Sequence, residues 1–169
     1  MVEFAILGPL EARADGEPIP LGGPKQRALL AMLLLEAGRV VSLDRLLEAL
    51  WEGNPPATAV ASLQNFVAQL RKALGPDVIE TRTPGYLVRL GPEQLDLARV
   101  RRLVDFARAS EPVRRAALLD DALALWRGEP LAEFRYETFA REEVARLEEF
   151  QLTLVEERAE AKLAIGAHA

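Results

Sequence analysis

A change of hydrophobic period between residues 58 and 90 is the feature that most constrains the fold. In residues 58–74 the apolar positions fall on one side of a helix at about 100° per residue. The residues on that side are Leu63, Phe66, Val67, Leu70 and Leu74. Gly75 and Pro76 end the helix, and residues 78–90 predict two strands around a turn at Thr83-Pro84-Gly85. A helix leading directly into a β-hairpin is therefore expected.

The residues before position 58 predict short strands followed by two helices. The block "VEFAILGPLEARADGEPIPLGG" contains an Asp15-Gly16 turn before a second extended piece at residues 18–21. Pro24 suits the first turn of a helix over about residues 24–37, and Ser42 is the expected N-cap of a short second helix. Strands, three helices and a hairpin in this order predict a winged helix-turn-helix.

The outer face of the third predicted helix is small and polar. Its residues are Thr58, Ala61, Ser62, Asn65, Ala68, Gln69 and Lys72. Small side chains allow close approach to a groove, and amides offer the donor and acceptor that match adenine. Polar outer faces are usually solvated faces, and the hairpin that follows is what favours DNA contact here. The candidate base-reading residues are Thr58, Ser62, Asn65 and Gln69.

Charge limits where an anion could bind. The formal net charge of −5 argues against a protein that wraps nucleic acid by bulk attraction. Residues 58–90, however, carry four Lys and Arg residues against Asp77 and Glu80. Arg71, Lys72 and Arg82 are therefore expected to neutralise phosphates beside the groove, which positions the helix without reading sequence.

The part of the chain after Leu90 predicts three helical stretches, at residues 97–110, 111–128 and 137–166. The second carries an apolar stripe that ends at Leu125, and the third carries Val144, Leu147, Leu154 and Leu163. Helical pairs of this kind usually form scaffolds or protein-binding surfaces. We expect a winged-helix domain at residues 1–92 and an all-α domain at residues 93–169.

No catalytic residue, metal site or cofactor is predicted. The chain has no Cys, and its single His168 cannot build a triad or a metal cluster alone. Paired acids such as Glu142-Glu143 are adjacent, so they point to different faces of a helix. The chain also has no run of about 18 apolar residues and no secretory signal, which predicts a cytoplasmic protein without a membrane span.

Six ordered blocks across nearly the whole chain resemble one family. They are "AILGPLEA", "GGPKQRALLAMLLL", "VVSLDRLLEALW", "NPPATAVASLQNFVAQLRKAL", "TPGYLVRL" and "ALALWRGEPLAEF". The resemblance is to the Streptomyces antibiotic regulatory protein family of pathway-specific activators. It implies an α+β OmpR-type winged-helix DNA-binding domain followed by an all-α, tetratricopeptide-like activation domain. It also implies an activator of secondary-metabolite genes that binds direct repeats in double-stranded DNA as a side-by-side homodimer and recruits RNA polymerase holoenzyme.

The resemblance assigns roles by position. The recognition helix falls on residues 58–74, and the wing on residues 81–86 places Arg82 and Thr83 against phosphates. The phosphate-contacting start of helix one falls on Lys25, Gln26 and Arg27, where a helix N-terminus and two cations coincide. The polymerase-facing loop consists of Glu52, Gly53, Asn54, Pro55 and Pro56. Tyr86 is expected to pack in the core rather than to touch DNA.

Two alternatives stay open at this stage. The family's activation domain continues through further helical repeats, whereas this chain reaches Ala169 after three helices. It is therefore a short member or part of a longer regulator. The competing function is a protein-interaction module that uses the winged helix and the helices without binding DNA, and salt-dependent binding to a duplex separates the two.

Overall fold

A computed structural model describes residues 1–166, so His168 lies outside the described residues. The strands are β1 (Val2–Ala5), β2 (Glu11–Ala14), β3 (Glu17–Pro18), β4 (Val41–Ser42), β5 (Ile79–Arg82) and β6 (Gly85–Val88). The helices are α1 (Pro24–Leu35), α2 (Leu43–Leu50), α3 (Ala59–Leu74), α4 (Asp96–Arg108), α5 (Pro112–Leu123) and α6 (Thr138–Gly166), with a 3₁₀ turn at Ala132–Phe134.

The N-terminal strands form an antiparallel sheet in the order β1-β2-β3. Asp15 and Gly16 connect β2 to β3, and both have positive φ, as a tight hairpin turn requires. The predicted second extended piece is shorter than expected, because β3 ends at Pro18. The backbone N–H of Ile19 still donates to the carbonyl of Ala12 in β2 at 2.9 Å, and residues 20–23 then lead into α1. This sheet covers one end of the core.

Helix α1 is the centre of the winged-helix part. Seven consecutive residues, from Ala28 to Leu34, are buried, because α2, α3, β6 and α6 all pack around the helix. The predicted apolar positions are therefore buried, and the intervening positions are buried with them. A helix surrounded on every side needs no polar face.

Helix α2 begins at the expected cap. The Ser42 hydroxyl accepts a hydrogen bond from the backbone N–H of Arg45 at 3.1 Å, which satisfies one of the free donors of the first turn. Leu46 and Leu50 are buried. The helix ends before the exposed loop of residues 52–58, in which Pro55 and Pro56 prevent continuation.

The hairpin β5–β6 joins β4 in a second sheet of order β4-β6-β5. Gly85 allows this pairing, since a Cβ atom at that position would lie 1.9 Å from the carbonyl oxygen of Val41. Tyr86 is half-buried and packs against the core. The hairpin is thereby fixed close to its turn, because β4 pairs with Tyr86 and Gly85 and the backbone N–H of Leu43 donates to the carbonyl of Pro84 at 3.0 Å. Arg82 and Thr83 remain exposed.

The helical half differs from expectation at the end of α5. The helix ends at Leu123, whereas the sequence predicted a stretch reaching Gly128. The backbone N–H of Arg127 donates to the carbonyl of Leu7 at 2.7 Å, and that of Leu131 donates to Ile6 at 3.0 Å. These long-range bonds replace the helical bonds that would have extended α5. Leu163, predicted in the apolar stripe of α6, is 74% exposed.

A buried carboxylate links the two halves. Asp96, at the start of α4, is 6% exposed and accepts hydrogen bonds from the backbone N–H groups of Ile6, Leu7 and Leu97 at 2.8 to 3.0 Å. Burial raises the pKa of the Asp96 carboxyl, and these three donors act in the opposite direction. One hydrophobic core also runs through both halves, from Phe4 and α1 to α4, α5 and α6.

Within residues 1–166, no helix is long and apolar enough to cross a membrane.

Candidate nucleic-acid interface

Helix α3 presents its polar face to solvent. Its opposite side is anchored by Leu63, Val67 and Leu70, which are at most 1% exposed. Asn65 and Gln69 are exposed and lie one helical turn apart. Among the described residues neither amide makes an intramolecular hydrogen bond, so both keep their donors and acceptors available.

The remaining residues of this face frame the two amides. Thr58 occupies the N-cap position and is exposed, but its side chain makes no capping bond. Ser62, one turn later, is half-buried. Ala61 and Ala68 are exposed and add little bulk. The structure thus brings the four predicted base-reading residues together on one accessible surface, which we call the α3 face (Thr58, Ser62, Asn65 and Gln69).

The cations at the end of α3 have different surroundings. Arg71 donates from Nε to the carbonyl of Ile79 at 3.0 Å and from Nη2 to the hydroxyl of Thr81 at 2.8 Å. Lys72 is exposed and has no carboxylate within ion-pair distance in the described part of the chain. Arg71 therefore joins the helix to the hairpin, while the ammonium group of Lys72 is available to a ligand.

The hairpin carries Arg82 and Thr83 at its exposed turn. Arg82 is paired with Glu80 at 2.7 Å, and Glu80 also pairs with Arg89 at 3.0 Å. The hydrogen bond from Arg89 and the charges of both guanidinium groups lower the pKa of the Glu80 carboxyl. Sequence reasoning counted Glu80 only in the net charge, although its spacing of two from Arg82 in a strand places both side chains on one face.

The start of α1 holds the other predicted phosphate contacts. Lys25 is exposed, with its Nζ atom 5.8 Å from the ring centroid of Trp51. Gln26 donates to the carbonyl of Leu21 at 3.1 Å. The first turn of the helix has no side-chain cap and Pro24 near its start, so its backbone donors face outward.

Arg27 lies in the same turn but is engaged with the helical half. Its Nε pairs with Glu133 at 2.7 Å, and its Nη2 donates to the carbonyl of Leu10 at 2.7 Å. Glu133 in turn accepts from the backbone N–H of Leu10 at 2.6 Å. No short-range signal reveals this arrangement, because Glu133 is 106 residues from Arg27.

The loop between α2 and α3 is exposed from Glu52 to Thr58. Glu52 and Gly53 have positive φ, and Gly53 donates to the carbonyl of Glu48 at 2.8 Å. Trp51, at the start of the loop, stacks on Phe66 of α3 with ring centroids 6.4 Å apart. The loop that was predicted to face the polymerase, including Asn54, Pro55 and Pro56, is therefore an exposed segment that leads into the α3 face.

Residues 1–166 contain no group of three or more His, Cys, Asp or Glu side chains arranged to hold a metal ion.

Two family models match the chain in the order of its two halves. The model described as transcriptional regulatory protein, C terminal, matches residues 16–88. The model described as bacterial transcriptional activator domain matches residues 95–169.

Named relatives and a solved structure match nearly the whole chain. It is 42% identical to the regulatory protein AfsR of Streptomyces coelicolor over 99% of this chain and 17% of that protein. It is 33% identical to the regulatory protein DnrI of Streptomyces peucetius over 99% of this chain and 67% of that protein. Mycobacterium tuberculosis EmbR, solved in complex with a low-affinity phosphopeptide, superposes with a TM-score of 0.91 at 36% identity, covering 98% of this chain and 46% of that one. The chain thus spans only part of the length of these proteins. The match to EmbR confirms the predicted fold, a winged helix followed by a helical domain.

Proposed function

Because this chain belongs to the Streptomyces antibiotic regulatory protein family of transcriptional regulators, we propose that it binds specific sites in double-stranded DNA and activates transcription from nearby promoters. The family membership confirms the resemblance predicted from the six sequence blocks. Within the proposal, the binding sites are direct repeats, and the chain binds them as a side-by-side homodimer. The proposed function needs no catalytic step and takes place in the cytoplasm.

The proposal of DNA binding rests mainly on the α3 face. This face offers two exposed amides that have no intramolecular partner within residues 1–166, on a helix whose other side is fixed in the core. Asn and Gln side chains form paired hydrogen bonds with the N6 and N7 atoms of adenine in the major groove. Asn65 and Gln69 are therefore the proposed base-reading pair, and Thr58 and Ser62 contact bases or sugars toward the start of the helix.

Phosphate contacts divide into two groups. Lys25, Lys72, Arg82 and Thr83 are exposed around α3 and are the proposed primary contacts. Gln26, Arg27 and Arg71 already bond backbone carbonyls, so a phosphate would use only their remaining donors. Since phosphate contacts position a protein without reading sequence, the first group supplies most of the salt-dependent affinity.

The loop of residues 51–57 is the proposed contact with RNA polymerase holoenzyme. It is exposed from Glu52 onward, and its two prolines limit the conformations that it loses on binding. The family model for the helical half describes an activator domain. The backbone N–H groups of Ile6 and Leu7 donate to Asp96 of the helical half and fix this half to the N-terminal part of the chain. This attachment supports a mechanism in which the helical half keeps one orientation relative to the bound DNA.

Fluorescence anisotropy with a pool of random duplexes that carry two spaced half-sites tests the proposal. Binding is measured at two salt concentrations, and the retained fraction is sequenced. We expect enrichment of a direct repeat and an affinity that falls as salt rises. Absence of retention at low salt would refute DNA binding.

The protein-interaction module is the second candidate function. The formal net charge of −5 favours it, because an acidic surface repels nucleic acid beyond the immediate neighbourhood of the α3 face. The same anisotropy experiment distinguishes the two functions, since a protein-interaction module would show no salt-dependent retention of any duplex.

A further inference from the structure

A single carboxylate stands between two cationic side chains of the hairpin. The Oε1 atom of Glu80 lies 2.7 Å from Nη2 of Arg82, and its Oε2 atom lies 3.0 Å from Nε of Arg89. Both arginine side chains are more than half exposed, at 53% and 61%. The carboxylate therefore partners two guanidinium groups that are accessible to solvent.

Strand geometry fixes this arrangement. Glu80 and Arg82 are two residues apart in β5 and so lie on one face of the hairpin. Glu80 pairs in register with Leu87, and Arg89 follows two residues later on the same face. The opposite face carries Thr81, which is bonded to Arg71 of α3. One face of the hairpin is therefore hydrogen-bonded to α3, and the other face carries the ion pairs of Glu80.

The guanidinium group binds carboxylate and phosphate in the same way, by parallel N–H donors to two oxygens. A DNA phosphate and the Glu80 carboxylate would thus compete for the same donors. Exposed ion pairs contribute little free energy, so a phosphate can replace the carboxylate at a small cost in free energy. The Glu80 carboxyl, whose pKa is lowered chiefly by the hydrogen bond from Arg89, carries the competing charge at neutral pH, as an unperturbed glutamate would.

We propose that Glu80 is an intramolecular competitor for DNA phosphate, which occupies Arg82 and Arg89 in the free protein and weakens binding to DNA of any sequence. The inference rests on the proposed function. Wherever Arg82 and Arg89 bind phosphate, they must first leave the Glu80 carboxylate, so the cost of breaking these ion pairs is subtracted from the affinity for operator and random DNA alike. Glu80 would therefore lower the affinity for DNA without reading its sequence.

The variant Glu80→Gln removes the charge and keeps the size of the side chain. Glu93→Gln is its matched control, because Glu93 also pairs with two arginines, Arg99 at 3.7 Å and Arg102 at 2.6 Å. Each variant raises the net charge by one and frees two guanidinium groups. The control does so at the start of the helical half, away from the hairpin.

The experiment measures anisotropy on a random-sequence duplex and on the selected operator, across a series of salt concentrations. We expect Glu80→Gln to bind the random duplex about three- to fivefold more tightly, and the operator by a similar factor. The slope of log affinity against log salt concentration should steepen by about one to two, because one or two further phosphates are neutralised and their counterions released. Glu93→Gln should bind like the unmodified chain.

A second pair of variants shows whether Glu80 acts through the arginines. In an Arg82→Gln, Arg89→Gln background, adding Glu80→Gln should leave the affinity unchanged. An unaltered or weaker affinity of Glu80→Gln in the native background would overturn the inference, and so would an equal gain in Glu93→Gln. If the unmodified chain binds no duplex at any salt, the proposed function itself fails.

Discussion

The α3 face and the junction between the two halves use their polar groups in opposite ways. At the junction, Asp96 is buried and both of its oxygens accept backbone hydrogen bonds. On the α3 face, Asn65 and Gln69 are exposed and have no intramolecular partner among the described residues. Buried polar groups must be paired, whereas exposed ones exchange water for a ligand at little cost. The difference separates residues that hold the fold from residues available for binding.

Replacing the junction carboxylate gives the largest expected effect. Asp96→Ala leaves the buried N–H groups of Ile6 and Leu7 without acceptors, and we expect a loss of about 2 to 4 kcal/mol in the free energy of unfolding. Chemical denaturation measures it. Asp105→Ala, at an exposed position of the same helix, is the control. A loss no larger than that of the control would show that the junction does not depend on this carboxylate.

The second-largest effect is expected at Gly85, which lets β6 pair closely with β4. In Gly85→Ala the new methyl group would meet the carbonyl oxygen of Val41, so the strands must separate. We expect a loss of about 1 to 3 kcal/mol in the free energy of unfolding, measured by thermal denaturation. Gly128→Ala, which has open space around it, should change stability much less. Equal effects of the two variants would contradict the close approach of β4 and β6.

The α3 face should show the reverse behaviour, in which stability is kept and recognition is lost. For Asn65→Ala or Gln69→Ala we expect discrimination between operator and random DNA to fall by about 1 to 3 kcal/mol, because a base contact is removed. Gln64→Ala is the control, since this exposed amide of α3 lies off the α3 face. Equal losses on operator and random DNA would refute the base-reading role.

The smallest effects are expected for substitutions of Arg71 and Lys72 at the end of α3, and the two substitutions should affect different properties. Lys72→Ala should weaken both DNAs alike and reduce the salt slope by about one, because a phosphate contact is lost. Arg71→Ala should chiefly lower the melting temperature, since its guanidinium holds Ile79 and Thr81. Salt titrations and thermal denaturation of both variants test this. Interchanged results would assign the phosphate contact to Arg71.

Local patterns predicted most of the elements. The buried side of α3, the Ser42 cap and the hairpin turn each depend on residues within a few positions of one another, where periodicity and capping chemistry act. The end of α5 could not be predicted in this way. The N–H groups of Arg127 and Leu131 bond a loop more than a hundred residues earlier, and these bonds have no signature in the surrounding sequence.

The same limit applies to the candidate site. The α3 face follows from helical spacing alone, and the structure brings its four residues together. For Arg27, charge and position predicted a phosphate contact, but only the fold shows the Glu133 carboxylate that pairs with it. Glu80 is intermediate, because its spacing from Arg82 is readable in the sequence while its bond to Arg89 requires the hairpin register.

The amino-acid sequence by itself determined the order of the helices and the hairpin, the buried side of α3, and the family to which the chain belongs. These properties follow from periodicity, caps and turn residues, which act over one or two helical turns. The tertiary structure alone decided which charged groups are free and which are engaged. Ion pairs and buried hydrogen bonds depend on distance in space, and the chain brings residues such as Asp96 and Ile6 together only when it folds.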